Sequence, residues 1–513
     1  MTTLERYRNP VLRGFYPDPS ICRAGDRFYL VNSSFEFFPG LPIHSSRNLV
    51  DWDWVGYVYT RKSQFDLTEA GSSRGLFAPT LRFHDGMFYL CVTDVSVLGN
   101  CILHSRDIGG PWSDPMPVAQ AGIDPSLFFD DDGTAYFCTN ATVGSQQGIA
   151  LSVVDPMTGK LRSSIRHICG GSGGRYPEAP HLYRTRGKYY LMLAEGGTEY
   201  GHMETLFRSD SPWGPYEPCP VNPILSHRNL GSHPIQGTGH ADICEDGQGN
   251  WWAVCLGIRP IGPLLHNLGR ETFLAPVHWD GEGWFTIGDN GTLSLEMEGS
   301  LDEPQRPIPA IWEPSFPADS LDPEWNSIRN PAPWRFTSFP AVRGYRIQGS
   351  QETLSDPTGS PAFLGRRQDE MQCRFQVAVK LVGTRQTETS LVFGEAGIAA
   401  YYNDSYHYEI YITQRDACLY VHLRRRIHDM EAEMASAVIL NLGDPVSLRI
   451  VADRSRYTFA YRETTKDWKI LGSGLTAGLC SEGTHQMSFT GVYLGLYAVE
   501  GIGEFTDCLY SRE

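Results

Sequence analysis

The 513-residue sequence predicts an all-β protein, a five-bladed β-propeller followed by a β-sandwich. Three observations predict it. A Pro-containing step into an apolar residue, then a polar turn and an aromatic pair, recurs five times in the first half. A Gly-containing turn sits inside each of those units. After a Pro-rich stretch the texture changes to further strand patterns, and no long stretch shows helical periodicity.

The five units begin at Asp18-Pro-Ser-Ile, Ala78-Pro-Thr-Leu, Asp124-Pro-Ser-Leu, Glu178-Ala-Pro-His-Leu and His240-Ala-Asp-Ile. Their second aromatic positions are Tyr29, Tyr89, Tyr136, Tyr190 and Trp252. A period of roughly 45 to 60 residues marks a repeat fold whose units stack on one another. The turns Gly25-Asp26, Asp85-Gly86, Asp132-Gly133, Arg186-Gly187 and Gly249-Asn250 suit tight hairpins, because Gly and Asn accept positive φ. Five multi-stranded units closed in a ring make a propeller.

Residues 1–302 are assigned to this propeller, with residues 277–295 near its seam. Residues 303–317 are Pro-rich and read as an extended linker. Residues 318–513 are assigned to the sandwich. Its strands are expected over 373–382, 406–413, 418–424, 446–452, 457–462 and 491–498. The run Arg424-Arg425-Arg426 reads as a solvated strand face.

The formal charge of −16 argues against nucleic acid or an anionic membrane as partner. No segment is apolar enough to span a membrane, and the N-terminus lacks the apolar core of a secretory signal. A cytoplasmic location is expected. Several of the twelve cysteines (Cys91, Cys138, Cys255) sit within strand patterns, and no CxxC spacing occurs, so buried free thiols are expected.

In a propeller the first strand of each blade lines the central channel, so equivalent repeat positions converge. The position before the step is Asp18, Ala78, Asp124, Ala179 and His240. Glu178 lies one residue ahead of this register. Neighbours on a strand face opposite sides, so Glu178 reaches the channel only if the strand begins irregularly, which Pro177 and Pro180 favour. Three carboxylates at one channel suit glycosidic hydrolysis. One must be protonated to serve the leaving oxygen, one ionised to activate water, and a third raises the acid's pKa by like-charge repulsion.

The stretches Gly14-Phe-Tyr-Pro-Asp18-Pro-Ser, Gly122-Ile-Asp124-Pro-Ser-Leu-Phe and Arg175-Tyr-Pro-Glu178-Ala-Pro-His resemble glycoside hydrolase family 43. Within it the chain most resembles the two-domain β-xylosidases. Glu195-Gly-Gly-Thr-Glu-Tyr-Gly-His202, Gly237-Thr-Gly-His240, Leu268-Gly-Arg270-Glu-Thr and, in the second domain, Phe489-Thr-Gly491 support it. The resemblance implies an inverting mechanism with Asp18 as general base, Glu178 as general acid and Asp124 tuning and orienting that acid. Arg270 matches the arginine of the deepest sugar subsite. Phe35 and Phe77 match apolar positions around the substrate, although Trp is common in the family where Phe77 stands, a departure that bears on the shape of the leaving-group subsite. His240 matches a channel histidine that in parts of the family faces a water or a calcium ion. Glu199 and His202 are read as supports for Glu178.

The expected activity is exo-acting, inverting release of D-xylose from the non-reducing end of β-1,4-xylo-oligosaccharides. The alternative is an α-L-arabinofuranosidase, or one enzyme with both activities. A non-catalytic carbohydrate-binding propeller would not need all three carboxylates. A sialidase-like propeller should show several channel arginines, and Arg270 is the clear candidate here. The resemblance further implies that the Phe489 region closes over the channel mouth. No cofactor is required by this chemistry. The partners expected are small xylo-oligosaccharides, and self-association is compatible with the sequence.

Overall fold

The computed structural model describes residues 5–513 apart from 263, 302, 384, 387–390, 393, 416–417, 440–442 and 486. The first half forms five antiparallel sheets, each built from consecutive strands. Blade I is Ser20–Ala24, Arg27–Val31, Gly40–Ser46 and Asp53–Tyr59. Blade II runs from Thr80–His84 to Met116–Pro117, and blade III from Ile123–Phe129 to Arg166–Cys169. Blade IV begins with Glu178–Thr185 and blade V with Gln236–Glu245. The first strands of successive blades abut one another, and that of blade V returns against that of blade I. The ring is therefore closed.

Sequence chemistry explains the hairpins. Asp85 and Gly86 link strands paired at His84 and Met87, with φ of 48° and 73°. Two positive φ values in a two-residue loop are what the twist of an antiparallel pair demands. Between the blades lie apolar layers in which the repeat aromatics take part, including Tyr190 and Trp252. Near the seam, Leu12 bridges Thr272 of blade V, and Glu5–Arg8 pairs with Glu296–Gly299.

The second half is two packed antiparallel sheets. One orders Phe336–Phe339, Gly344–Gln348, Ile502–Arg512, Cys373–Gly383, Val446–Ala452, Arg456–Arg462 and Lys469–Leu475. The other orders Ala362–Arg367, Tyr493–Val499, Glu395–Asn403, Tyr406–Arg415, Cys418–Ile427 and Met430–Ile439. Their inner faces enclose Phe375, Ile398, Ile450 and Phe459. Ile311–Trp312, inside the stretch read as a linker, is a short strand against Ile502–Arg512.

The two halves are locked together. Ser327–Ile328 pairs with Phe37–Phe38 of the propeller. A shared apolar cluster joins Phe15, Phe35 and Phe37 to Phe363, Tyr401 and Tyr493. Each such side chain, fully buried, contributes about 1.5–3 kcal/mol. Arg367 is buried in this seam, donating to the Phe15 carbonyl at 2.7 Å and to Asn326 at 2.6 Å. The solvated reading of the 424–426 run fails at Arg424. Its guanidinium pairs with Glu409 at 2.7 Å and Glu395 at 2.9 Å and stacks on Tyr411. Glu409 lies directly across from it on the neighbouring strand, which places the two side chains on one face. All twelve cysteines are free, and eleven are buried. Among the described residues, no helix is long and apolar enough to cross a membrane.

Candidate active site

A buried polar hub ties the propeller together below the site. Asp242, on the first strand of blade V, accepts from Arg82 of blade II at 2.7 and 3.1 Å and from Ser20 of blade I at 2.6 Å. Tyr183 of blade IV donates to it at 2.6 Å. Arg82 also donates to His181 Nδ1 at 2.9 Å. Burial, outweighing the nearby Asp242, lowers the His181 pKa to about 3, so the ring is neutral and able to accept. Arg82 is thus a second channel arginine, which the sequence reading did not pick out. Asp242 occupies both of its outer nitrogens.

Above the hub, Asp18, Asp124, Ala179 and His240 all adopt left-handed backbone, with φ between 48° and 52°. These are the repeat-equivalent positions of blades I, III, IV and V. In blades III, IV and V the pairing register slips at the same place. L-residues avoid this region, so its recurrence marks a built kink rather than an accident of one loop. The kink accounts for Glu178. Ala179 takes the left-handed position, and Glu178, one residue earlier, lines the same cavity as Asp18 and Asp124. The irregular strand start expected at Pro177 and Pro180 is present.

The cavity is about 180 Å³ and gathers the predicted catalytic and substrate-binding residues: Asp18, Phe35, Phe77, Asp124, Glu178, His240, Arg270 and Phe489. Asp18 sits at its buried end. It accepts from Arg270 Nη1 at 2.6 Å and from the Ser33 hydroxyl, and it faces His240 Nδ1 at 3.6 Å. Burial alone would raise its carboxyl, but Arg270, then His240 and Ser33, outweigh that and hold it below the usual range. Glu178 has the opposite environment. Burial pushes its pKa well up, and the charges of Asp124 and then Asp18 add to the rise. Burial also raises Asp124, which accepts from the Ala179 amide at 3.2 Å. That bond pins the backbone next to Glu178.

Arg270 is itself held. It donates to Thr198 at 3.1 Å and to the Phe489 carbonyl at 3.2 Å, and it lies over the Phe35 and Phe489 rings. Its Nε is buried without a partner among the described residues. Phe489 comes from the sandwich and stacks on Phe35 at 5.7 Å, while its amide donates to the Ser73 hydroxyl of the propeller at 2.9 Å. The second domain therefore supplies part of the cavity wall, next to Met487.

The loop leading into Glu178 is anchored from below. The fully buried Glu195 carboxylate accepts from the Ser172 and Gly174 amides, both at 2.8 Å, and from the Thr205 hydroxyl at 2.8 Å. A Cβ on Gly174 would lie 2.5 Å from that carboxylate, so only glycine fits there.

The supporting roles read for Glu199 and His202 differ in the structure. Glu199 lines the rim and faces Arg175 at 3.7 Å. His202 is buried against Gly239, and its electrostatic neighbours are His240, Arg270 and Asp18. Burial, with His240 and Arg270, lowers its pKa to about 3. Glu178 is perturbed by Asp124, Asp18 and Arg270 instead. Tyr176, Thr198 and Met487 line the cavity and were not foreseen. Tyr176 lay within the quoted Arg175–His181 motif and was the one within reach of sequence reasoning.

The calcium reading of His240 does not fit these residues. Calcium takes about six to eight oxygen ligands. The carboxylate facing the His240 ring, at 3.6 Å, is that of Asp18, which Arg270 and Ser33 already engage. Among the described residues no group of three or more His, Cys, Asp and Glu side chains is arranged to hold a metal ion.

Comparison with known proteins agrees with this geometry. Residues 7–285 match "Glycosyl hydrolases family 43", and residues 314–507 match "Beta xylosidase C-terminal Concanavalin A-like domain". A non-reducing end alpha-L-arabinofuranosidase of Bacteroides ovatus is 39% identical over 505 residues, covering 96% of this chain and 91% of that protein. A xylosidase/arabinosidase of Butyrivibrio fibrisolvens is 36% identical, covering 79% of this chain and 80% of its own. The crystal structure of a xylan beta-1,4-xylosidase from Bacillus halodurans superposes with a TM-score of 0.90 at 31% identity, covering 98% of this chain and all of that one. With the propeller, the carboxylate-lined cavity and the sandwich wall accounted for together, the chain belongs to glycosyl hydrolase family 43 and is an inverting glycosidase.

Proposed function

We propose that the enzyme removes terminal α-L-arabinofuranosyl residues from the non-reducing ends of plant-type glycans, with terminal β-D-xylosyl residues as its second substrate. The observation that carries the chemistry is the opposed environment of two carboxyls across one cavity: Asp18 held down by Arg270, Glu178 pushed up by burial and Asp124. Groups whose surroundings drive their pKa values apart are suited to base and acid roles. Asp18 takes a proton from water as its oxygen attacks the anomeric carbon. The bond to the leaving oxygen breaks on the opposite face, and Glu178 gives that oxygen its proton. Asp124 keeps Glu178 protonated and fixes its backbone through Ala179. Arg270 lines the cavity beside Asp18, where its guanidinium is suited to contact a sugar in the deepest subsite.

Exo action is supported by the Phe489 contact, which encloses the far end of the cavity against Phe35 and Arg270. The order of substrates rests on likeness. The sequence reading put xylose first, whereas the 39% identical relative is named an arabinofuranosidase and the 36% identical one carries both names. Initial rates on p-nitrophenyl α-L-arabinofuranoside and β-D-xylopyranoside test the proposal. Higher kcat/KM on the arabinofuranoside is expected. Preference for the xyloside would reverse the order, and inactivity on both would remove the proposal.

A further inference from the structure

The mouth of the cavity holds an aromatic face that the reaction as described does not use. Tyr176 is 58% exposed and lines the cavity two residues before Glu178. Its backbone is left-handed, with φ of 51°. A bulky residue seldom adopts that conformation, and where one is retained the fold holds it there for a reason. The ring rests close to Gly197, where an added Cβ would approach it to 3.3 Å. The Arg175 guanidinium lies over it at 4.9 Å. Glu199 in turn faces Arg175 at 3.7 Å. Tyr176 is thus a braced side chain, not a loose one.

The direction of the reaction decides what meets it. The sugar to be released occupies the buried end by Asp18 and Arg270, and Glu178 must reach the leaving oxygen. The leaving group therefore extends from Glu178 toward the mouth. Phe77 is half-buried and already packed against Phe35 at 5.3 Å and Phe489 at 5.9 Å. The exposed apolar side chains left at the mouth are Tyr176 from the propeller and Met487, 42% exposed, from the sandwich.

We infer that Tyr176 is a specificity-determining residue, the platform on which the leaving-group sugar packs its apolar face, with Met487 on the facing domain. The inference rests on the functional reading above and adds which side chain selects a glycan as the leaving group. A sugar ring presents C–H groups on one face, and an aromatic ring carries its negative quadrupole toward them.

The test compares wild type, Tyr176→Ala, Tyr176→Phe and Tyr176→Trp on α-1,5-L-arabinobiose and β-1,4-xylobiose. Competitive inhibition by free L-arabinose, which fills the buried end, is measured in parallel. Tyr176→Ala should raise KM for the better disaccharide about ten-fold, the ratio given by losing one modest contact. Inhibition by free L-arabinose should stay within two-fold. Tyr176→Phe and Tyr176→Trp, which keep a ring, should restore KM. An active wild type whose KM is unmoved in Tyr176→Ala overturns the inference alone. So does an equal loss of L-arabinose inhibition, because the residue would then act on the whole cavity. Failure of both ring-bearing variants to restore KM also overturns it. A wild type inert on both disaccharides overturns the functional reading, and this inference with it.

Discussion

Replacing Arg270 with Gln should move the whole pH profile upward and narrow it. Arg270 contacts the Asp18 carboxylate at 2.6 Å, and both side chains are less than a tenth exposed. Solvent screens such a pair weakly. A guanidinium in this position lowers a carboxyl by about one to three pH units, or about 1.4 kcal/mol per unit. Asp18 must be ionised to accept a proton. Its pKa sets the acid limb of kcat/KM, and losing Arg270 raises that limb. Arg270 also lowers Glu178, but as the weakest of its named neighbours. The alkaline limb, where Glu178 loses its proton, should rise too, by less. The bell then shifts up and becomes narrower, on top of an overall loss from the missing sugar contact. The assay is kcat/KM on p-nitrophenyl α-L-arabinofuranoside across pH, checked against circular dichroism of the variant. A variant with lower activity but an unmoved acid limb would refute the reasoning, because Asp18 would not be the group that Arg270 holds ionised.

Other perturbations separate the remaining roles. Glu178→Ala should lose about 10²–10⁴-fold on a disaccharide, the typical contribution of a positioned acid. It should lose far less on a dinitrophenyl glycoside, whose leaving group needs little protonation, and equal losses would contradict the acid assignment. Asp124→Asn removes the like charge that raises Glu178 most, so the alkaline limb should move to lower pH. A limb that stays or rises would contradict the tuning. Asp242→Ala leaves Arg82 buried without its carboxylate and should cost about 3–5 kcal/mol in urea unfolding. A loss under about 1 kcal/mol would show that the hub does not hold the blades.

Much of this architecture is legible in the sequence because repeats convert distance along the chain into proximity. Asp18, Asp124 and His240 could be brought together on paper since each precedes the same step in its blade. Glu178 was the awkward case, and the left-handed Ala179 resolves it, because a backbone kink shifts which residue of the pair faces inward. Pro177 and Pro180 announce an irregular strand start but not a left-handed Ala179, since Ala seldom adopts positive φ. The Arg82–Asp242 hub was within reach of the same repeat logic. Ser20, His181 and Asp242 each lie two residues past Asp18, Ala179 and His240, and Arg82 and Tyr183 lie four residues past Ala78 and Ala179, but their mixed residue types hid the shared register. In the sandwich, Cys373–Gly383 and Val446–Ala452 alternate and were foreseen. Met430–Ile439 and Lys469–Leu475 were not, because these strands are mostly exposed and turn few or small apolar side chains inward, Ala435, Ala437, Ile439 and Leu471. The depth at which Thr198 and Met487 enter the cavity is set by packing between domains, which local pattern does not encode.

The most direct test of the central claim, that Asp18 activates water opposite a leaving group protonated by Glu178, is the anomer first released. Proton NMR during hydrolysis of an α-L-arabinofuranoside should detect β-L-arabinofuranose before mutarotation. A β-D-xyloside should yield α-D-xylose first. Release of the same anomer as the substrate would require a covalent intermediate on one carboxylate and would contradict the account.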